Sequence, residues 1–194
     1  MESKPVSAER IDAIQKELLE RMEREQAIRR KLTELLQSGT SMKEINAGHP
    51  LPKEMRVIDE ANEAYLIATI VECGWPDAQR FGASAAQAAF LIVQHSWNQK
   101  LMSDALPQIE ADARAKRVDA GQYALLYDRL HVRLHGKQRY GSQLKSNSEG
   151  ELSLEPLEDP ENVDKLRAEL GMDPLADYLE HFVPQNGNKP VKIN

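Results

Sequence analysis

Acid, base, phenol and amide groups crowd into one stretch, YDRLHVRLHGKQRYGSQ, over residues 127–143. Asp128, His131, His135, Tyr140, Gln138 and Gln143 are the kinds of group that move protons or read a ligand's donors and acceptors. The same residues also suit the polar end of a helix running into a turn, with Gly141 permitting a backbone conformation at positive φ. His131 and His135 stand at i, i+4, the spacing of helical zinc sites. Val132, however, occupies the position where a zincin carries its glutamate base. Both histidines fall at a helix C-terminus, where the helix dipole favours a partly cationic imidazole. A metal held by His95, Glu25 and Asp128 has no local spacing behind it, so no metal or cofactor is expected. Nothing in the chain resembles a phosphate loop, a dinucleotide fingerprint or a Gly-x-Ser-x-Gly elbow.

Other chemistry-bearing residues are found where polar groups interrupt apolar helical stripes. The first stripe runs Ile11, Ile14, Leu18, Met22 and resumes at Leu32 and Leu36, with Glu25 and Arg29 in the gap, four apart on one face. A second stripe through Met55, Ile58, Leu66 and Thr69 contains Asn62. After the apolar run AAFLIV come Gln94 and His95, one turn beyond Phe90 and Leu91. Asp128 lies between Ala124 and Val132 and needs a cation or several donors, because an unpaired buried charge costs several kcal/mol. Arg129 and Arg29 are the cations of the right type. Each interruption alone fits a structural ion pair or a satisfied core histidine. Interruptions on separate helices favour one shared polar site instead.

For that site the expected roles are His95 as general base, Asp128 orienting it or holding Arg129, and Tyr140 as auxiliary acid. Glu25, Arg29, Asn62, Gln94, Arg129, Gln138 and Gln143 would bind substrate. His95, Asp128, Arg29 and Tyr140 are expected to line one partly enclosed cavity. The substrate would be small and polar or peptide-like. In the alternative, the same cluster is a structural network inside a non-catalytic ligand-binding or regulatory module, docking a partner or a second copy through the first helix.

The elements that must position these groups follow from caps and periodicity. A long amphipathic helix is expected over 8–37, with Ser7 as N-cap and Gly39 as the stop. SGTSMKEINAGHPLP reads as a loop, and a second helix follows over 53–73, closed by Gly74 and Pro76. CGWPDAQRFG reads as a connector with Trp75 in the core. Ser84 and Gln87 form a capping box for a central buried helix over 85–102. A fourth helix is expected over 104–117 and a fifth from 120 to about 133, capped by Asp119 and stopped by Gly136. Residues 143–155 suggest a polar hairpin around Ser-Glu-Gly. Asp159-Pro160 and Asp173-Pro174 place a cap before a proline at the start of two short helices. The fold class is therefore mainly α: a single-domain helical bundle over 8–183 around a central buried helix, with one small β-hairpin. Residues 1–7 and 184–194 are expected to be flexible.

Bulk properties narrow the partners. The 194 residues carry 25 Lys and Arg against 31 Asp and Glu, a net charge of −6. That balance lacks the basic footprint of a nucleic-acid binder, and the runs 29–31 and 114–117 are short. Cys73 is the single cysteine, so a reducing compartment fits and no internal disulfide can form. It reads as a small buried hydrophobe. MESKPVSAER has no apolar signal core, and no apolar run approaches the ~20 residues of a membrane span. A cytoplasmic protein with no membrane partner is expected.

The ordered segments EQAIR (25–29), GWP (74–76), QH (94–95), YDR (127–129) and QRYGSQ (138–143) resemble a bacterial group, domain-of-unknown-function family 6624. Its members read DQ-x-x-R, GWP, QH, YLTDR and Q-x-YGTQ, followed by an acidic-proline segment like EDPENVDKLRAELGM here. The likeness spans about 25–180. Glu25 replaces the family's Asp, Tyr127-Asp128 lacks the preceding Leu-Thr, and Ser142 replaces Thr. The resemblance implies a mostly helical domain with a small β element and names no reaction. Its motifs coincide with Glu25, Arg29, Gln94, His95, Asp128 and Arg129, the residues found by stripe interruption.

Overall fold

A computed structural model describes residues 5–147, 151–183 and 189–193. The chain is mainly α, with eight helices and one two-stranded antiparallel hairpin among the described residues. It forms two compact units, Met1–Gln108 and Ile109–Asn194. Of the segments expected to be flexible, residues 1–4, 184–188 and 194 lie outside the described residues, as does the expected hairpin turn at 148–150.

The first unit is built on α1 (Ala8–Gln37), α2 (Met42–Gly48), α3 (Leu51–Cys73), α4 (Ala78–His95) and the start of α5 (Gln99–Arg114). Ser7 caps α1, its side chain accepting from the Arg10 amide. Of the long stripe Ile14 and Leu18 are fully buried, while Leu36 at its far end is exposed. α1 packs against both α3 and α4, and α3 against α4. Alanines 85, 86, 88 and 89 are all buried on α4, as are Ile92 and Val93, so the most apolar run is the most enclosed helix of this unit. Such small side chains let neighbouring backbones approach closely.

Three expectations need correction here. The segment read as a loop contains α2, because Ser41 and Glu44 make a reciprocal capping box. The helix expected at 85–102 begins at Ala78, capped by Asp77, and is kinked at Gly82, whose φ of 76° suits glycine alone. The Phe81 carbonyl freed by that kink accepts from Gln15 Nε2 at 2.8 Å. The same helix stops at His95, not 102. Asn98 starts α5, its side chain accepting from the Leu101 amide at 3.0 Å and its carbonyl from Met102 at 3.0 Å.

The second unit carries α6 (Ala120–His135), β1 (Leu144–Ser146), β2 (Leu152–Leu154), α7 (Val163–Glu169) and α8 (Leu175–Glu180). Asp119 caps α6 and Gly136, in the left-handed conformation, ends it. Leu144 pairs with Leu154 and Ser146 with Leu152. β2 also bonds to Lys192 through Leu154 N–H and Leu152 C=O, which ties that part of the C-terminal segment to the hairpin. Leu154, Val163, Leu175, Leu179 and Val191 form the core beneath. The two short helices start later than the proline pattern predicts. α7 begins at Val163, three residues past Pro160, and Pro174 rather than Asp173 sits at the cap of α8. The Leu175 amide is capped from a distance by Asp164 at 2.8 Å.

Candidate functional site

The residues singled out in the sequence gather into two polar groups, one in each unit. In the first, Glu25 on α1 is 1% exposed. Its Oε1 lies 2.6 Å from Nε of Arg29 and 2.6 Å from Nδ1 of His95. The Arg29 contact is an ion pair, and in neither contact does the N–H point along the line to the oxygen. Catalytic hydrogen bonds often tighten from such arrangements only when substrate is present. Oε2 is better placed, accepting from Gln26 Nε2 at 2.6 Å. Arg29 continues the chain, its Nη2 reaching both oxygens of Asp59 at 3.1 Å, while its buried Nη1 has no partner.

Burial pushes the Glu25 carboxyl up, but the His95 and Arg29 nitrogens outweigh it and hold the group below the usual glutamate range. Asp59 goes the other way. Its own burial exceeds the pull of Arg29, so its carboxyl is raised. Glu25 is therefore a firm anion behind the imidazole. The anion stands on the Nδ1 side of the ring, 2.6 Å away.

His95 is about a fifth exposed and lines a groove of about 780 Å³. Asp59 and Glu63 stand on the same wall, one turn apart on α3. Glu63 accepts from Ser96 Oγ at 2.5 Å and from Asn98 Nδ2 at 3.0 Å, fixing the break between α4 and α5. Leu32, Met42, Ile45, Pro52 and Met55 supply an apolar wall, and Trp97, 82% exposed, stands at the break. Asn62 is buried but serves a different purpose: its Oδ1 accepts from Arg21 Nη1 at 3.2 Å, joining α1 to α3. Gln94 is buried on α4.

The second group is closed on itself. Asp128, 0% exposed, accepts from the amides of Arg139 (2.8 Å), Tyr140 (3.0 Å) and Ser142 (2.9 Å). Its carboxylate thus holds the turn 139–142, and Glu25 is the carboxylate that stands against His95. Burial raises the Asp128 carboxyl in opposition to these amides. Gln138, also 0% exposed, donates to the carbonyls of Gln143 and Glu155 and accepts from the Gln143 amide. Gln143 in turn donates to the Leu125 carbonyl at 3.3 Å. Gly141 has φ 71°, and a Cβ there would lie 2.6 Å from Leu175 Cδ1. Arg167, 1% exposed, seals the turn by donating to the Tyr140 carbonyl at 2.7 Å and that of Asp173 at 2.6 Å.

Tyr140 is buried, packed edge-on against Tyr123 and Tyr127 at 5.9 and 5.5 Å. Burial raises all three phenols, Tyr127 to about 12, which makes them poor acids near neutrality. His131 stacks on Tyr127 at 3.8 Å and contacts Glu158 through Nδ1 at 3.2 Å, while His135 is exposed. Arg129 is half-buried on α6. Among the described residues, no three His, Cys, Asp or Glu side chains are grouped so as to hold a metal ion.

Asp59, Glu63, Ser96, Trp97 and Asn98 were missed by the sequence reading. Asp59 and Glu63 lie one residue beyond Ile58 and Asn62 of the α3 stripe, outside the face that its periodicity marks. Ser96 to Asn98 fall inside the helix expected over 85–102, and the cap pattern from Asn98 to Leu101 marks the break there.

A model of a family of unknown function, DUF6624, matches residues 12–190. No curated protein and no solved structure matches the chain. Among the described residues no helix is long and apolar enough to cross a membrane.

Proposed function

The chain belongs to the DUF6624 family, and we propose that it is a small enzyme using general acid–base chemistry on a small polar or peptide-like substrate bound in the groove of the first unit. The observation that carries this reading is the buried Glu25 carboxylate 2.6 Å behind Nδ1 of a half-buried, groove-lining His95. Nε2 takes a proton from an attacking water or hydroxyl and returns it to the leaving group. Glu25 stabilises the imidazolium formed between those steps, as a carboxylate behind a catalytic histidine does. Arg29, clamped between Glu25 and Asp59, fixes the carboxylate rather than the substrate. In this reading Glu25 and Arg29 are positioning residues, and Asp128, Gln138, Tyr140 and Gln143 build the second unit.

The test is turnover of a panel of small amides and esters by the wild type and by His95→Asn. Asparagine places an amide nitrogen near the position of Nδ1 and has no base at Nε2. The expected loss is about 10²–10⁴-fold, with Glu25→Gln slower and shifted in its pH profile. Turnover unchanged in His95→Asn removes the assignment. The apolar wall and the exposed Trp97 favour a second reading, a ligand-binding module without chemistry. Ligand binding with no turnover across the panel selects it.

A further inference from the structure

The charges around the groove do not balance. Asp59, Glu60 and Glu63 line it as carboxylates with Glu25 behind His95, and among the described residues Arg56 in the lining and Arg29 behind it are the guanidiniums paired with this set. Arg29 is shared by Glu25 and Asp59, and Arg56 pairs with the exposed Glu60. Glu63 differs from the rest, since its two oxygens accept from a hydroxyl and a carboxamide, and among the described residues no cation pairs with it. A concave wall with an excess of one sign focuses its field on whatever enters. An anion would meet repulsion there, and a neutral ligand would leave the excess charge unanswered.

The rest of the lining is apolar and adaptable. Met42 and Met55 bring flexible thioether side chains, and Leu32 and Ile45 add branched surface. Trp97 exposes an indole at the helix break that also carries Ser96 and Asn98. An exposed indole beside carboxylates is a favourable place for a cation and for the methylenes attached to it. Charge and surface together ask for one molecule with both properties.

We propose that the groove binds a primary amine carried on an apolar stem, with the ammonium held at Glu63 and the stem laid along the methionine wall toward Trp97. This rests on the groove being the ligand site of the proposed function, and it names the substrate class: a peptide-like or small molecule presenting a free amino group. The ammonium supplies three donors to oxygens that now accept from neutral groups only. The size of the groove, about 780 Å³, accommodates a small ligand of this kind.

The test uses the full chain with n-hexylamine, n-hexanoate and n-hexanol as probes, read by calorimetric titration and by Trp97 emission. Trp75 is buried and serves as the constant background. Hexylamine is expected to bind at least tenfold more tightly than hexanol and to shift the emission, with hexanoate weakest and added salt reducing the preference. Glu63→Gln removes the charge, keeps one acceptor oxygen for Ser96 or Asn98, and is expected to lower the amine's affinity about tenfold. Glu60→Gln, at an exposed position, lowers it less and guards against a folding defect in the first variant. A preference for hexylamine in a protein that turns over none of the small amides and esters removes the catalytic reading and keeps this one, so the two failures are separate results. Equal binding of hexanoate and hexylamine, or an affinity unchanged in the Glu60→Gln/Glu63→Gln double variant, overturns the proposal.

Discussion

Two buried carboxylates, Glu25 and Asp128, illustrate how the same kind of residue serves different ends. Both interrupt an apolar helical stripe and both are essentially inaccessible. Asp128 accepts from three backbone amides of one turn, donors that cannot leave without unfolding the segment. Glu25 is met by side chains, an imidazole and a guanidinium, and its imidazole also borders a groove. Amide donors make a carboxylate part of the scaffold. Side-chain donors with one face open make it part of a site whose partners can respond to a ligand.

That contrast is most directly broken at Asp128. Asp128→Ala leaves the amides of 139, 140 and 142 without their acceptor inside a buried region. The expected cost is about 3–5 kcal/mol of unfolding free energy, read by urea denaturation, with those three amides losing exchange protection first. Asp128→Asn should lose less, since one oxygen remains to accept. An unchanged or more stable Asp128→Asn protein would sink the structural role.

A smaller loss is expected at Gly141. Its φ of 71° penalises any side chain, and a Cβ would meet Leu175 Cδ1 at 2.6 Å. Gly141→Ala should cost about 2 kcal/mol, with the defect confined to the second unit when followed by amide exchange. Stability equal to wild type would mean the turn is not under the constraint described.

On the other side of the comparison, His95→Asn should change stability by no more than about 1 kcal/mol, because Gln26 and Arg29 still attend Glu25. Thermal and urea unfolding check this. A loss as large as that of Asp128→Ala would place His95 in the scaffold and remove the distinction drawn here.

The finest prediction concerns pH. Glu25 is held below its unfolded range, so it contributes stability above that range and loses it as pH falls through the folded pKa. Asp128 is raised, so its contribution is complete below its unfolded pKa and is lost as pH rises through the folded one. Carboxyl carbon shifts followed by NMR should show Glu25 titrating below the ordinary glutamate range and Asp128 above the ordinary aspartate range. Titration of either group on the other side of its ordinary range would contradict the environment assigned to it.

Much of the architecture could be read from local patterns. The bounds of α1, Ala8–Gln37, follow from Ser7 and Gly39, and α6 from Asp119 and Gly136, because caps and stops act over a single turn of chain. The same locality explains the errors. Ser84 and Gln87 had the form of a cap, but Asp77 had already started the helix and Gly82 bent it. Ser41 and Glu44 capped a real helix inside a segment rich in turn formers. Stripe interruption likewise located Glu25, Arg29, His95 and Asp128 as polar residues in apolar company, since periodicity reports which face is covered.

What periodicity cannot report is the partner. The neighbours of Asp128 are amides of a turn that exists only once Gly141 adopts its positive φ and Arg167 closes over it. The neighbour of Glu25 is a histidine seventy positions away, brought to it by α1 packing on α4. Burial was encoded locally in the order of apolar and polar residues. The division of labour between the two carboxylates was decided by tertiary packing, because a buried charge takes its character from whichever donors the fold delivers to it.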